Sequence, residues 1–456
     1  MLNFPETYEL IVGLGACGLA MARFMNCRGH CVAATDIDAT KTDEAAALKN
    51  LGIPVMIGSH THEIFDNASV IIPSPGIPLN MPYIQSARNK GVPVKGELDI
   101  FARYNTTPTI AITGTNGKTT TTELTTAMLE ASGISCFMGG NIGTPLMEYL
   151  IKEDPKDVVV AEVSSFQLDL AQTFRPHTAA LLNIAEDHLD RYINFHAYAD
   201  SKWSIFKNMT AKDTAIINNC INNFSTRTDA ICAEILEFSS TKTVARGASV
   251  HKMGIDIHTQ NVSDALTTDI LAGLPGTHNK ENVAAAALAA LSCGGTIEGI
   301  RQALNEFTLS DHRIAFVREV DGVRFYNDSK ATNVDAVLRA LESFESGVIL
   351  ILGGREKGLD FAPLAPEVKA RAKAVIGMGE AAGHVMETFE GVCPAYSCRD
   401  MACAVTKAVS VADKGNVVLL SPACASFDLY ANYKERGKDF ARIVNRLVSV
   451  QEVCHG

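Results

Sequence analysis

The sequence has one tryptophan in 456 residues, no C-x-x-C pair, no long block of like charge and no apolar run of transmembrane length. Each absence excludes something. Without a long apolar run no spanning helix is expected, and the N-terminus has no signal-peptide pattern, so a cytoplasmic protein is expected. The twelve cysteines are scattered from Cys17 to Cys454. They read as reduced thiols, since their spacing suits neither a disulfide framework nor a zinc module. A net charge of −11 without a basic block argues against a nucleic-acid surface. Small anions are not excluded, because local lysines, arginines and helix ends decide their binding. What is abundant is glycine, with 34 residues, and apolar side chains at 47%. A chain of this length is expected to fold as several domains of about 150 residues each.

The most informative stretch is 108–122, Pro-Thr-Ile-Ala-Ile-Thr-Gly-Thr-Asn-Gly-Lys-Thr-Thr-Thr-Thr. An apolar strand at 110–113, a loop bounded by Gly114 and Gly117, and a helix starting at Lys118 aim backbone N–H groups and a positive helix end at one point. That arrangement suits a polyphosphate, with Lys118 as a fixed charge and Thr119 as a hydroxyl for Mg²⁺. Ile112 stands where the strict phosphate-loop pattern has its first Gly. Upstream, Gly13, Gly15 and Gly18 form a G-x-G-x-x-G turn between strands, and Asp36 follows the second strand, the Rossmann-like layout. A dinucleotide, another nucleotide or mere close packing could each explain it. The Ser74-Pro75-Gly76 turn lies at the carboxyl end of a strand at 70–72, the edge where open α/β sheets bind ligands.

Downstream, Glu162 ends a strand at 158–161, placed to hold a metal. His188 follows another strand at 179–184, and Lys202 lies in a helix at 198–209 beside Trp203. Asn279 and Asn282 share a face near an Ala-rich helix at 283–291, where carboxamides can read a purine edge or Asn279 can simply cap. Residues 219–270 read only as mixed strands and turns. Further strands at 323–326, 348–352, 374–378 and 417–420 imply another parallel sheet with polar loops at its carboxyl edge.

Taken together, Gly114-Thr-Asn-Gly-Lys-Thr119, Glu162-Val-Ser-Ser-Phe-Gln167, Asp187-His-Leu-Asp190, Gly276-Thr-His-Asn279 and Asn327-Asp-Ser-Lys-Ala-Thr-Asn333 resemble the Mur ligase family. The Gly-rich N-terminus, Ser74-Pro-Gly76 and Ser421-Pro-Ala-Cys-Ala-Ser426 are similar to its members that couple D-glutamate to UDP-N-acetylmuramoyl-L-alanine. The resemblance implies an α/β protein of three domains: Rossmann-like at 1–104 for the UDP substrate, P-loop ATPase-like at 105–307, and Rossmann-like at 308–456 for the amino acid. It implies ATP-driven amide formation through an acyl phosphate. Gly114, Thr115, Asn116, Gly117, Lys118, Thr119 and Thr120 would hold ATP, with Asn279 and Asn282 at adenine, Asp328 and Lys330 at the ribose, and Arg313 at the phosphates. Thr119 and Glu162 would serve one Mg²⁺, and His188 with a carbamylated Lys202 a second. Asn141 would lie by the reacting carboxylate. Gly15, Ala16, Cys17, Asp36, Ser74, Pro75 and Gly76 would bind the UDP substrate, and Thr332, Lys357, Ser426 and Tyr433 D-glutamate.

The chain departs from the family pattern at Ile37-Asp38, where a hydroxyl residue and Arg are usual, and at Asp311 and Ala315 around His312-Arg313. An L-alanine-adding sister ligase and a nucleotide-gated regulator are the competing readings. Closure of the third domain on the second, a monomer, no nucleic-acid partner and no membrane insertion are also expected.

Overall fold

The computed structural model describes residues 4–188, 191–271, 274, 276–308, 311–355 and 358–448. The three-domain α/β expectation holds, because the chain builds three sheets. The first has four parallel strands, in the order Val55–Ile57, Val32–Asp36, Tyr8–Val12, Ala68–Pro73. The second has nine. A parallel core runs from Glu234–Ser239 through Thr214–Asn218, Thr178–Leu181, Thr109–Thr113 and Val158–Glu162 to Cys136–Gly140. Gly247–His251 extends it in parallel, and Gly254–His258 and Ser263–Thr267 add antiparallel strands at that edge. The third sheet has six strands, in the order Ala315–Val320, Val323–Asn327, Val417–Leu420, Val348–Gly353, Ala372–Met378, Ala395–Cys398. Only its first pairing is antiparallel.

The central strands are mostly apolar because helices cover both faces of a parallel sheet. Every residue of Val158–Glu162 and of Val348–Gly353 is buried. Parallel order also sends consecutive strands to the same edge, so the loops at their carboxyl ends meet although far apart in sequence.

By its contacts the chain divides into two compact units. One comprises Met1–Ile184, Arg191–Leu271 and Glu281–Glu306, and so carries the first two sheets. The other comprises Ala185–Asp190, Ala272–Lys280 and Phe307–Gly456, and carries the third.

Some boundaries differ from expectation. The strand at 178 stops at Leu181, which leaves 183–188 as loop. The helix bearing Lys202 is Phe195–Trp203, followed by a 3-10 turn at Ser204–Phe206. The Ala-rich helix starts at Thr277, so Asn279 lies inside it and is no cap. The antiparallel strand Ala315–Val320 carried too little alternation to be read from sequence. Among the described residues no helix is long and apolar enough to cross a membrane.

Candidate active site

The phosphate loop joins strand Thr109–Thr113 to helix Lys118–Ala131. Gly117 has φ of 84°, and a Cβ there would meet Asn282 Oδ1 at 2.3 Å, so no other residue fits without displacing Asn282. Asn183 splints the loop: Thr115 N donates to its carbonyl at 3.0 Å. Asn116 N donates to Asn183 Oδ1 at 2.8 Å, and Asn183 Nδ2 donates to Asn116 O at 3.0 Å. Thr120 is buried in the first helical turn. Thr121 Oγ1 donates to Asn282 Oδ1 at 3.3 Å, which ties the loop's helix to Thr277–Ser292.

Two cations converge on one carbonyl. Lys118 Nζ donates to Gly114 O at 2.8 Å and Thr115 O at 2.7 Å, and Lys202 Nζ donates to the same Gly114 O at 2.8 Å. Lys202 is buried and sits 4.7 Å from the Tyr198 ring centroid, while Tyr198 OH pairs with Thr115 Oγ1 at 3.0 Å. Sequence reading missed Tyr198. Its spacing of four residues from Lys202 on one helix was the available signal.

Glu162 ends the neighbouring strand, 3% exposed. Thr119 Oγ1 donates to its Oε2 at 2.8 Å and Asn141 Nδ2 to its Oε1 at 2.9 Å. The backbone N–H of Asn141 also donates to Glu162 O at 2.8 Å. Lys118, Thr119, Glu162, Asn141 and Lys202, expected together, are thus brought together in the first unit. A hydroxyl and a carboxylate are the hard oxygen donors that magnesium takes, so Thr119 and Glu162 fit one such ion. Among the described residues no group of three His, Cys, Asp or Glu could enclose a metal unaided. Phosphate oxygens and water would have to complete the shell.

In the first sheet's domain, Asp36 Oδ2 accepts from Leu14 N at 2.6 Å and Oδ1 from Asp38 N at 2.9 Å, which shapes the Gly-rich turn. Ser74 Oγ donates to Gly13 O at 3.0 Å, so the two expected substrate loops touch. A Cβ at Gly18 would lie 1.8 Å from Gly13 O. Gly15 precedes helix Ala16–Cys27 and leaves open space beside it, room for a ligand to approach the helix start formed by Ala16 and Cys17. Burial, reinforced by the nearby Glu97 carboxylate, pushes the Cys17 thiol up to about 12. Pro75 and Gly76 continue the second loop, and Arg191 Nη1 donates to Gly76 O at 2.9 Å.

The second unit contains a cavity of about 730 Å³. Thr332, Ser426 and Tyr433 line it together with His188 and Asp187. Asn333 Nδ2 donates to Asp187 Oδ2 at 3.2 Å, and His188 takes φ of 55° at this turn. Lys357 lies outside the described residues. Asp328 is buried, and burial pushes its carboxyl up to about 7 although Ser421 Oγ donates to it at 2.8 Å. Arg313 lies near enough to favour its charged form. Lys330 Nζ is 5.5 Å from the Tyr433 ring. Asn279 is buried, and next to it burial, with Arg339 and Arg313, pushes His278 down to about 4.

Three family models cover the chain in order: Mur ligase MurD-like N-terminal domain at 7–96, Mur ligase middle domain at 112–290, and Mur ligase glutamate ligase domain at 312–424. The UDP-N-acetylmuramoylalanine–D-glutamate ligase of Desulfosudis oleivorans is 44% identical over 96% of this chain and 96% of its own. That of Desulfatibacillum aliphaticivorans is 46% identical over 96% and 97%. Among solved structures, the MurF ligase of Thermotoga maritima in complex with ADP matches with a TM-score of 0.57 at 17% identity, covering 84% of this chain and 92% of that one. With a relative this similar over nearly its whole length and all three domain models matched in sequence order, the chain belongs to the Mur ligase family.

Proposed function

We propose that this protein is an ATP-dependent ligase that joins D-glutamate to UDP-N-acetylmuramoyl-L-alanine, a cytoplasmic step of peptidoglycan precursor synthesis. The carrying observation is the buried Thr119–Glu162–Asn141 cluster beside Lys118 on a phosphate loop, in a chain whose full-length relatives bear that ligase name.

The chemistry has two steps. The carboxylate of the L-alanyl residue attacks the γ-phosphoryl group of ATP, giving an acyl phosphate and ADP. The amine of D-glutamate then attacks the acyl carbon, loses a proton and expels phosphate from a tetrahedral intermediate. Both partners of the first step are anions, so approach requires positive charge that is already in place. Lys118 supplies it at the loop, and the amides of residues 114–119 orient the phosphates. Mg²⁺, held by Thr119 and Glu162, would neutralise phosphoryl charge as transfer proceeds. Asn141 keeps Glu162 oriented and offers its carboxamide to the reacting carboxylate. Asn279 and Asn282 would read adenine, Asp328 and Lys330 the ribose, and Arg313 the phosphates. Thr332, Ser426, Tyr433 and Lys357 would grip D-glutamate, whose two carboxylates call for charge-assisted bonds. Residues 13–18 with 74–76 would hold the UDP moiety.

Lys202 is the residue we assign to carbamylation, which would turn its cation into an anion and, with His188, hold a second Mg²⁺. Loss of activity on CO₂ removal and its return with bicarbonate would support this; a fully active Lys202→Ala enzyme would sink it. A monomer is the state we propose, and light scattering tests it.

The deciding assay is phosphate release from ATP with UDP-N-acetylmuramoyl-L-alanine, with D-glutamate, L-glutamate or L-alanine added. Turnover only with D-glutamate is expected. Turnover with another of these amines would move the chain to a sister activity, and tight ATP binding without any turnover would favour a regulator.

A further inference from the structure

Glu97 is a buried carboxyl, 4% exposed, that the mechanism above does not use. It opens helix Glu97–Tyr104 at the end of the first sheet's domain. The preceding Gly96 lets the chain come so close to the central domain that a Cβ there would lie 2.6 Å from Leu170 Cβ. The residue thereby lines the crevice between the 73–75 loop and the turn at 166–170. Its Oε2 accepts from Gln167 Nε2 at 2.9 Å, and the amide of Leu146 is directed at the same group.

Those two partners lead to the two turns that matter. Gln167 Oε1 accepts from Ser164 N at 2.9 Å and from Ser164 Oγ at 3.0 Å, and Ser164 Oγ accepts in return from Gln167 N. This capping box fixes the turn that starts two residues after Glu162. Ser165 O, in the same turn, accepts from Ser201 Oγ at 2.9 Å, the residue before Lys202. Leu146 opens the helix that follows the Asn141 loop. One carboxyl thus holds the turn that follows Glu162 by a hydrogen bond and faces the start of the helix that follows the Asn141 loop.

We propose that Glu97 is a positioning residue for phosphoryl transfer, holding the Asn141 and Glu162 turns in register from the substrate-binding domain. The proposal rests on the ligase reading above. Burial raises the Glu97 carboxyl above the usual carboxylate range. A carboxamide of the same shape retains the oxygen acceptor that Gln167 needs.

Asp99 provides the control. It lies on the same helix and accepts from the backbone N–H groups of Gln172, Thr173 and Phe174 at 2.8–3.0 Å, docking the same two domains without touching either turn.

The experiment measures three quantities on Glu97→Ala, Glu97→Gln, Gln167→Ala and Asp99→Ala: phosphate release as a function of Mg²⁺, melting temperature, and amide hydrogen exchange across residues 163–168. Glu97→Ala should lose about 10- to 100-fold in kcat, as loss of a residue orienting a metal-ligating side chain typically does. It should need more Mg²⁺ for half-maximal rate and leave KM for D-glutamate unchanged. Exchange across 163–168 should rise, and Glu97→Gln should restore both exchange and most of the rate. Gln167→Ala, which cuts the link from the other side, should reproduce the loss, while Asp99→Ala should lower the melting temperature and keep kcat. Wild-type kcat and Mg²⁺ dependence in Glu97→Ala would overturn the proposal and leave the ligase reading standing. So would activity losses in the Glu97 and Asp99 variants that merely track their melting temperatures. If the wild-type enzyme turns over with no amine, the ligase reading fails, and unchanged exchange in Glu97→Ala then rejects the positioning role by itself.

Discussion

Lys118 is the side chain whose removal should cost most. Its ammonium closes the phosphate loop on two carbonyls and is the charge proposed to meet the γ-phosphate. Lys118→Ala should lower the rate of phosphate release by about 10²- to 10³-fold, the usual loss when a preorganised electrostatic group is removed from a transfer site. Steady-state phosphate assays check this. Cys17 makes the opposite kind of prediction. It sits in the substrate loop, yet its thiol is pushed up to about 12 by burial and so stays protonated at neutral pH. Iodoacetamide should label the exposed Cys27 and Cys31 well before Cys17, as peptide mass mapping would reveal. Asp328 predicts a pH dependence. Its folded-state value of about 7 lies above the ordinary value near 4. Between those limits the unfolded chain has released this proton and the folded chain has kept it. Its contribution therefore erodes stability as pH rises from about 4 to about 7 and is level above that. Asp328→Asn should flatten that slope in denaturant titrations performed at several pH values without ATP.

At the level of secondary-structure elements, the helix Tyr433–Asn445 begins with a built cap. Asn432 Oδ1 accepts from Lys434 N at 2.9 Å and Glu435 N at 3.1 Å. Asn432→Ala should destabilise the second unit by about 1 kcal/mol, visible as a lower transition in calorimetry. What could be read from sequence also follows element by element. The phosphate loop and the strands that end in Glu162 or precede the 421–426 loop were legible, because parallel strands are unbroken apolar runs closed by polar residues. The pairing of Asn141 with Glu162 was not derivable from spacing. It depends on Cys136–Gly140 lying beside Val158–Glu162 in the sheet order, and only tertiary packing sets that. The helix Thr277–Ser292 starts earlier than its Ala-rich run because its first turn carries polar residues that imitate a loop, and of these Asn279 becomes buried only in the folded chain. Ala315–Val320 escaped because an edge strand with half-exposed residues of both kinds has no clean period.

For the molecule as a whole, the proposed reaction brings together groups from both compact units. Lys118 and Glu162 belong to one, while Thr332, Ser426 and Tyr433 belong to the other. Closure on substrates is therefore expected, as in enzymes whose catalytic set is completed by domain movement. Small-angle scattering should show a smaller radius of gyration with a non-hydrolysable ATP analogue and the UDP substrate than in the free protein. An unchanged radius would argue against it.

The make-up of the second unit bears on how such enzymes can be recombined. Besides Phe307–Gly456 it includes Ala185–Asp190 and Ala272–Lys280, which the chain contributes long before it reaches the third sheet. Glu186, Asp187 and His188, which line the second unit's cavity, come from the first of these. The second unit is thus not a transplantable cassette. A chimaera spliced at residue 307 would inherit most of the cavity from the donor ligase but retain this wall from the recipient. Amino-acid preference should then transfer fully only when 185–190 and 272–280 travel with the graft.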